Sequence, residues 1–161
     1  MTSISPCLWF DDNLEEAIAF YTSVFPNSST GNIQRYADAG PGEPGKVMAA
    51  DWTLDGLGFR GINGGPVHAT FTEAISLSVA CKDQAEVDHY WDALVEGGEP
   101  GPCGWLKDQY GLSWQIVPDE LGECLGDPDP ARASAALNAM LGMQKIVVAD
   151  LRKAADAADK A

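Results

Sequence analysis

The strongest constraint on this chain's fold is a pattern that occurs twice. In ISPCLWFDDNLEEAIAFY (residues 4–21), Ile4, Pro6, Leu8 and Phe10 alternate with Ser5, Cys7 and Trp9, as a strand with two different faces requires. Asp12 followed by Glu15 has the form of a helix N-cap with an acidic third position, and Leu14, Ala17, Ile18 and Tyr21 then recur at helical spacing. Further along, AISLSVAC (74–81) sets Ile75, Leu77 and Val79 against Ser76 and Ser78. Asp83 with Glu86 repeats the cap, and Val87, Tyr90, Trp91 and Leu94 repeat the apolar stripe. The strands and caps agree at an offset of 71 and the stripes better at 73, which a two-residue insertion near the strand-helix join would reconcile. An internal duplication accounts for the pattern, with each copy adding further strands behind its helix.

The first helix is expected over 13–25, because Pro26 cannot continue it and disfavours the helical conformation at Phe25. Strand-like pieces follow near Ile33 to Tyr36, Val47 to Leu54 and Gly58 to Asn63. AGPGEPG between the first two reads as a mobile loop, and Asp55-Gly56 as a hairpin turn. The second helix stops at Gly97-Gly98, and KDQYGL (107–112) echoes LDGLGF (54–59) as a turn into a final strand. Each repeat is therefore one strand, one helix and three strands, an α+β arrangement. In the tail, Leu121 to Leu125 suits one short helical turn and DPDP marks a break. ARASAALNAMLGMQ opens a last helix through Leu151 that packs on the body or on a partner subunit before AADAADKA frays.

Charge narrows the partners. A formal net charge of -14, with no local Lys/Arg cluster, disfavours phosphate backbones and anionic lipid surfaces, so neither nucleic acid nor membrane is expected. No apolar run is long enough to cross a bilayer, and MTSISPCLWFDD lacks the features of a signal peptide, so a cytoplasmic protein is expected. Cys7, Cys81, Cys103 and Cys124 form no CxxC pair, and only two histidines could join them around a metal. They read as small buried apolar groups, with a reactive thiol as the alternative.

Two βαβββ modules, opened by ISPCLWFDDNLEEAIAFYTSVFPNS and closed by EPGPCGWLKDQYGLSWQIVPDELGE, resemble the PhnB-like (3-demethylubiquinone-9 3-methyltransferase-like) branch of the vicinal oxygen chelate superfamily, the glyoxalase, bleomycin resistance and dioxygenase group. NGGP (63–66) and GWLKD (104–108) are the most specific pieces, and the resemblance extends over nearly the whole chain, DPDPARA included. It implies one glyoxalase-like domain over 1–161, made of module 1 (about 3–66), module 2 (about 73–119) and a helical tail (about 120–155). The tandem modules would curve a mixed sheet around a cleft, and the chain would form a homodimer. Metal-dependent members carry His or Glu at four inward strand positions, which project here onto Ser5 or Pro6, Ile62 or Asn63, Ser76 and Gln115. None is a His or a carboxylate, so no metal and no other cofactor is expected. A divalent ion enters only if the projection is misaligned, and Glu73 is the one carboxylate beside a projected position.

In the last strand Leu112, Trp114 and Ile116 point to the helix-covered core, and Ser113, Gln115 and Val117 to the cleft. Gln115 either offers a donor and an acceptor to a bound molecule or is satisfied by a neighbouring group or water. Trp9, Trp52 and Trp105, with Ser5, Cys7, Asn63 and Ser76, are the other expected cleft residues, each tryptophan having a purely structural alternative. Trp91 and Trp114 are assigned to the core. His68 is either a general base or an exposed loop residue, and His89 is expected to be solvated. The expected function is small-molecule binding in the inter-module cleft without the usual metal. Its rival is a metal-dependent glyoxalase-like lyase, isomerase or dioxygenase. A methyltransferase is the least supported reading, since no glycine-rich loop follows a strand to hold a methyl donor.

Overall fold

A computed structural model of the chain describes residues 4–38, 42–66 and 70–158. The chain divides into two compact units, Met1–Thr70 and Phe71–Ala161, and each holds one repeat. The first contains β1 (Cys7–Phe10), α1 (Leu14–Val24), β2 (Ser29–Arg35), β3 (Val47–Leu54) and β4 (Leu57–Asn63). Its sheet has the order β1-β4-β3-β2, with β1 parallel to β4 and the other pairs antiparallel. The second contains β5 (Leu77–Cys81), α2 (Gln84–Val95), β6 (Glu99–Pro100), β7 (Trp105–Lys107) and β8 (Ser113–Pro118), in the matching order β5-β8-β7-β6. This is the α+β, twice-βαβββ plan that the repeat implies.

In the first unit Leu14, Ala17, Ile18 and Tyr21 are all buried on one face of α1. The helix lies so close to the sheet that a Cβ on Gly61 would come within 2.5 Å of Leu14 Cδ1 and 2.9 Å of the Trp52 ring. The β3–β4 hairpin turns through Asp55 and Gly56 at φ of 45° and 78°, the left-handed pair that matches strand twist.

The start of α1 departs from expectation. Asp12 does not cap it; Asn13 stands at the N-cap without a side-chain cap bond. Asn63, at the end of β4, instead accepts the Leu14 N–H at 3.0 Å, while Asp12 pairs with Lys46 at 3.0 Å. In α2 the expected cap does form: Asp83 accepts the Glu86 N–H at 3.0 Å, and the Glu86 carboxylate returns to the Lys82 N–H at 2.9 Å. The repeat register is corrected with it. Leu8 and Val79 lie on matching strand faces at an offset of 71, but the buried pairs Ala17 with Val87 and Tyr21 with Trp91 stand at 70. The first strand-helix join is thus one residue longer, and no two-residue insertion exists in the second. Leu14 corresponds to Gln84, whose amide binds Ile146 O (3.1 Å) and Val148 N–H (2.8 Å) in the tail.

The tail is also corrected. The short helix expected at Leu121 to Leu125 is present as α3 (Asp119–Leu125), but in place of one last helix through Leu151 there are two, α4 (Pro130–Leu141) and α5 (Val148–Ala158). Asp129 caps α4 by accepting the Ala131 N–H at 2.8 Å, Pro130 opens it, and Gly142 ends it. Of AADAADKA, Ala154 to Ala158 continue α5, because Leu151 and Ala155 bury one stripe in a small core with Leu121, Cys124, Ala136 and Ile146, and residues 159–161 lie outside the described residues. Arg132 ties this corner together through Asp127 (2.9 Å) and Asp156 (3.0 Å).

Cys81 and Cys124 are buried as expected, but Cys103 is half-buried and Cys7 is exposed at the head of β1; all four are free thiols. Of the AGPGEPG loop, residues 39–41 lie outside the described residues, and Gly45 and Lys46 close the remainder by bonding Tyr36 O (3.0 Å) and Glu43 O (3.2 Å). Among the described residues no helix is long and apolar enough to cross a membrane.

Candidate functional site

Each sheet has one face covered by its helix and one face that is not, and strand alternation decides which side chains reach the second. In the first unit Cys7 and Trp9 of β1 share that open face with Asp51 and Arg60, which form an ion pair at 2.9 Å. Asn32 and Gln34 join Cys7 around a pocket of about 190 Å³ there. Ser5 is exposed ahead of β1.

Trp52 and Asn63 do not belong to that face. Ala50, Trp52 and Leu54 are the buried row of β3, and Trp52 is 2% exposed with its ring stacked on Phe59 at a centroid distance of 5.4 Å. Asn63 faces the same covered side, its Oδ1 on Leu14 N–H and its Nδ2 donating to Val47 O at 3.1 Å. The two-residue period in VMAADWTL puts Trp52 in the buried row with Ala50 and Leu54, so the expected cleft position is corrected to the core. NGGP is likewise a structural clasp. The Trp9 indole N–H donates to Gly65 O at 3.0 Å, and its ring lies where a Cβ on Gly64 would be 2.0 Å away.

In the second unit Ser78, Gln115 and Trp105 form one row across β5, β8 and β7 on the open face. Trp114 and Ile116 are buried on the other side, as expected. Gln115 donates from Nε2 to Ser76 Oγ at 2.8 Å. One end of the amide therefore has a partner within the protein.

Beside this row lies a pocket of about 540 Å³. Pro100, Pro102 and the Trp105 side chain form its apolar walls, and Cys103 lies between them. Its rim carries Glu73, Glu99 and Lys107. Lys107 pairs with Glu73 at 2.6 Å; that hydrogen bond holds the Glu73 carboxyl below the usual carboxylate range and the Lys107 ammonium above its ordinary value. Glu99 stands opposite Lys107 in the β6–β7 ladder. Ser113 is 1% exposed, and its Oγ has no hydrogen-bond partner among the described residues. A buried hydroxyl in that condition loses its hydration without compensation unless something enters beside it.

The wall segment is held in an uncommon shape. Cys103 and Gly104 have φ of 56° and 83°, and their N–H groups donate to Met143 O (2.8 Å) and Gln144 O (2.7 Å) in the α4–α5 linker. A Cβ on Gly104 would meet Ile116 O at 2.8 Å and Ile146 Cγ1 at 3.1 Å. GWLKD is therefore a device that bends β7 into the pocket wall. Its Asp108 is 2% exposed and accepts from Tyr110 N–H (2.9 Å), Leu112 N–H (3.0 Å) and the Trp114 indole (2.9 Å), fixing the turn into β8. Neither the Asp108 contacts nor the Glu73–Lys107 pair follows from the periodicity of the sequence. An Asp heading a turn was the available signal for the first; nothing local announced the second.

The projected metal positions do not fit a divalent ion. Ser76 and Gln115 are neutral and bonded to each other, Asn63 is committed to backbone on the covered face, and Glu73 is paired with Lys107. Among the described residues no group of three or more His, Cys, Asp or Glu side chains could hold a metal ion. His68 lies outside the described residues. His89 is exposed on α2, as expected, edge-on to Tyr90 at 5.0 Å.

The family described as 3-demethylubiquinone-9 3-methyltransferase matches residues 2–117. The PhnB protein of Bacillus cereus, whose description carries the same methyltransferase term, is 38% identical, covers 73% of this chain and 99% of its own, and superposes with a TM-score of 0.66. A Pseudomonas aeruginosa protein at 21% identity covers 74% of this chain and 100% of its own, with a TM-score of 0.59. The fosfomycin resistance protein FosX of Listeria monocytogenes, solved with Mn(II) and sulfate, shares the fold at 16% identity, covering 78% of this chain and 96% of its own with a TM-score of 0.51. No curated protein matches. The family match ends before α3, so the tail with DPDPARA, expected to fall within the resemblance, lies beyond it.

Proposed function

The chain belongs to the PhnB-like family described as 3-demethylubiquinone-9 3-methyltransferase, within the vicinal oxygen chelate superfamily, and from that premise we propose that it binds a small molecule on the open face of its second repeat without a resident metal ion. The observation that carries this reading is the pocket of about 540 Å³ with an indole wall and the buried Ser113 hydroxyl, which has no hydrogen-bond partner among the described residues. That volume suits a small organic ligand, and an apolar lining with a few polar atoms is the usual construction of such a site. The donor chemistry of Ser76 and Gln115 supports binding through neutral hydrogen bonds over metal coordination. A methyl-transfer role draws no support from these groups: no glycine-rich turn enters a helix here, and the family name alone speaks for it.

The test is a thermal-shift screen of a metabolite library on wild type and Trp105→Ala, with manganese, nickel, zinc and S-adenosylmethionine as separate additions. The reading expects small organic hits that wild type responds to and Trp105→Ala does not. A ligand at a hundred times its dissociation constant stabilises by roughly 2.7 kcal/mol. A shift of that size with a metal or with S-adenosylmethionine, and with no other compound, overturns it. A homodimer is part of the same proposal, supported by the exposed Leu137 and Leu141 one turn apart on α4.

A further inference from the structure

We propose that the pocket selects a small organic cation, an apolar body with an ammonium at one end and an uncharged hydrogen-bonding group at the other. This rests on the reading that the pocket is a small-molecule site and adds the chemical class. The rim carries two carboxylates, Glu73 and Glu99, against the single ammonium of Lys107. Lys107 is hydrogen-bonded to Glu73 at 2.6 Å and feels Glu99 only at longer range across the ladder, so the three groups together leave a net negative charge beside the opening, on the Glu99 side.

An anion entering here would have to take Lys107 from Glu73 while facing Glu99, in the field of a chain of net charge -14. A cation meets none of those costs. It is drawn in by the same field, approaches Glu99 directly, and lays its body on Trp105, whose ring face attracts positive charge. Depth assigns the other end. The Ser113 hydroxyl is 1% exposed, has no hydrogen-bond partner among the described residues and lines the pocket, so it is placed to bond a neutral hydroxyl or carbonyl reaching the floor.

An isosteric series separates these terms by calorimetric titration of the full chain: tyramine as cation, tyrosol as its neutral alcohol, 3-(4-hydroxyphenyl)propionate as anion, and phenethylamine as the cation lacking the phenolic hydroxyl. Tyramine should bind about tenfold tighter than tyrosol, the size of one charge-assisted contact, and the propionate most weakly. Glu99→Gln should erase the preference for tyramine over tyrosol, chiefly by weakening tyramine about tenfold. Ser113→Ala should erase the preference for tyramine over phenethylamine. Equal binding of tyramine and tyrosol, or tightest binding of the propionate, overturns the cation assignment and leaves the small-molecule reading standing. If none of the four binds at millimolar concentration while the metabolite screen gives hits that depend on Trp105, the cation assignment falls and the small-molecule reading stands; if the screen gives none either, both fall.

Discussion

Asn63 uses both ends of its amide on backbone, accepting the Leu14 N–H that opens α1 and donating to Val47 O at the head of β3. One side chain thereby stands in for the missing cap of a helix and ties that helix to two strands. Asn63→Ala should cost about 1–3 kcal/mol in urea unfolding, since it leaves a helix N–H and a strand carbonyl without partners; Asn63→Asp keeps the acceptor and should recover part of the loss. A neutral Asn63→Ala would mean that water replaces both bonds. Cys81 gives a second test at this scale. Burial, reinforced by Glu86, pushes its thiol up to about 11 from an ordinary 9.0. The folded state therefore holds a proton that the unfolded state releases, so this contribution is intact below pH 9 and is lost as pH climbs toward about 11. Wild type should lose more stability across that window than Cys81→Ala does, and Cys81 should resist alkylation by iodoacetamide at pH 8 under native conditions while exposed Cys7 reacts.

At the scale of elements, much was legible because it is written in local periodicity. The β3 bounds, the Asp55-Gly56 hairpin, the Asp83 cap and the buried row Trp114, Ile116 all follow from spacing two or from turn chemistry. What was not legible depended on partners distant in sequence. The sequence could not show that Asn63 would cap α1 from 49 positions away, nor that Lys107 would find Glu73. Nor could it foretell that the α4–α5 linker would hold the Cys103-Gly104 turn by its carbonyls. That latch makes a prediction about β7. Gly104→Ala should destabilise by more than the roughly 1 kcal/mol of an ordinary loop substitution, because it combines positive φ with a backbone contact at 2.8 Å. It should also weaken any ligand of the Trp105 pocket, measured as a parallel loss in unfolding free energy and in affinity. Full stability with unchanged affinity would show that the wall does not need this turn.

For the whole molecule, the duplicated sequence does not make duplicated sites. The first repeat uses its open face for the Arg60–Asp51 pair and seats Trp9 on its own glycines. It has a hollow of about 650 Å³ beside Ser5 and the Arg60–Asp51 pair, while the second holds the hollow of about 540 Å³ whose Ser113 hydroxyl has no hydrogen-bond partner among the described residues. The tail beyond residue 117, outside the family match, packs its own small core and fastens that hollow's wall through Met143 and Gln144. Light scattering at micromolar concentration should report twice the chain mass, and Leu137→Lys with Leu141→Lys should return the single-chain mass with the fold intact; a single-chain mass for wild type contradicts the dimer. The most direct test of the central claim, that the second repeat carries the ligand site, is a fragment titration of nitrogen-15-labelled protein followed by amide and indole resonances. Binding fragments should move the Trp105 indole and the Gly101 and Gly104 amides first, with Trp52 and Asn63 unmoved. Fragments that leave Trp105 still while shifting the first repeat would contradict it.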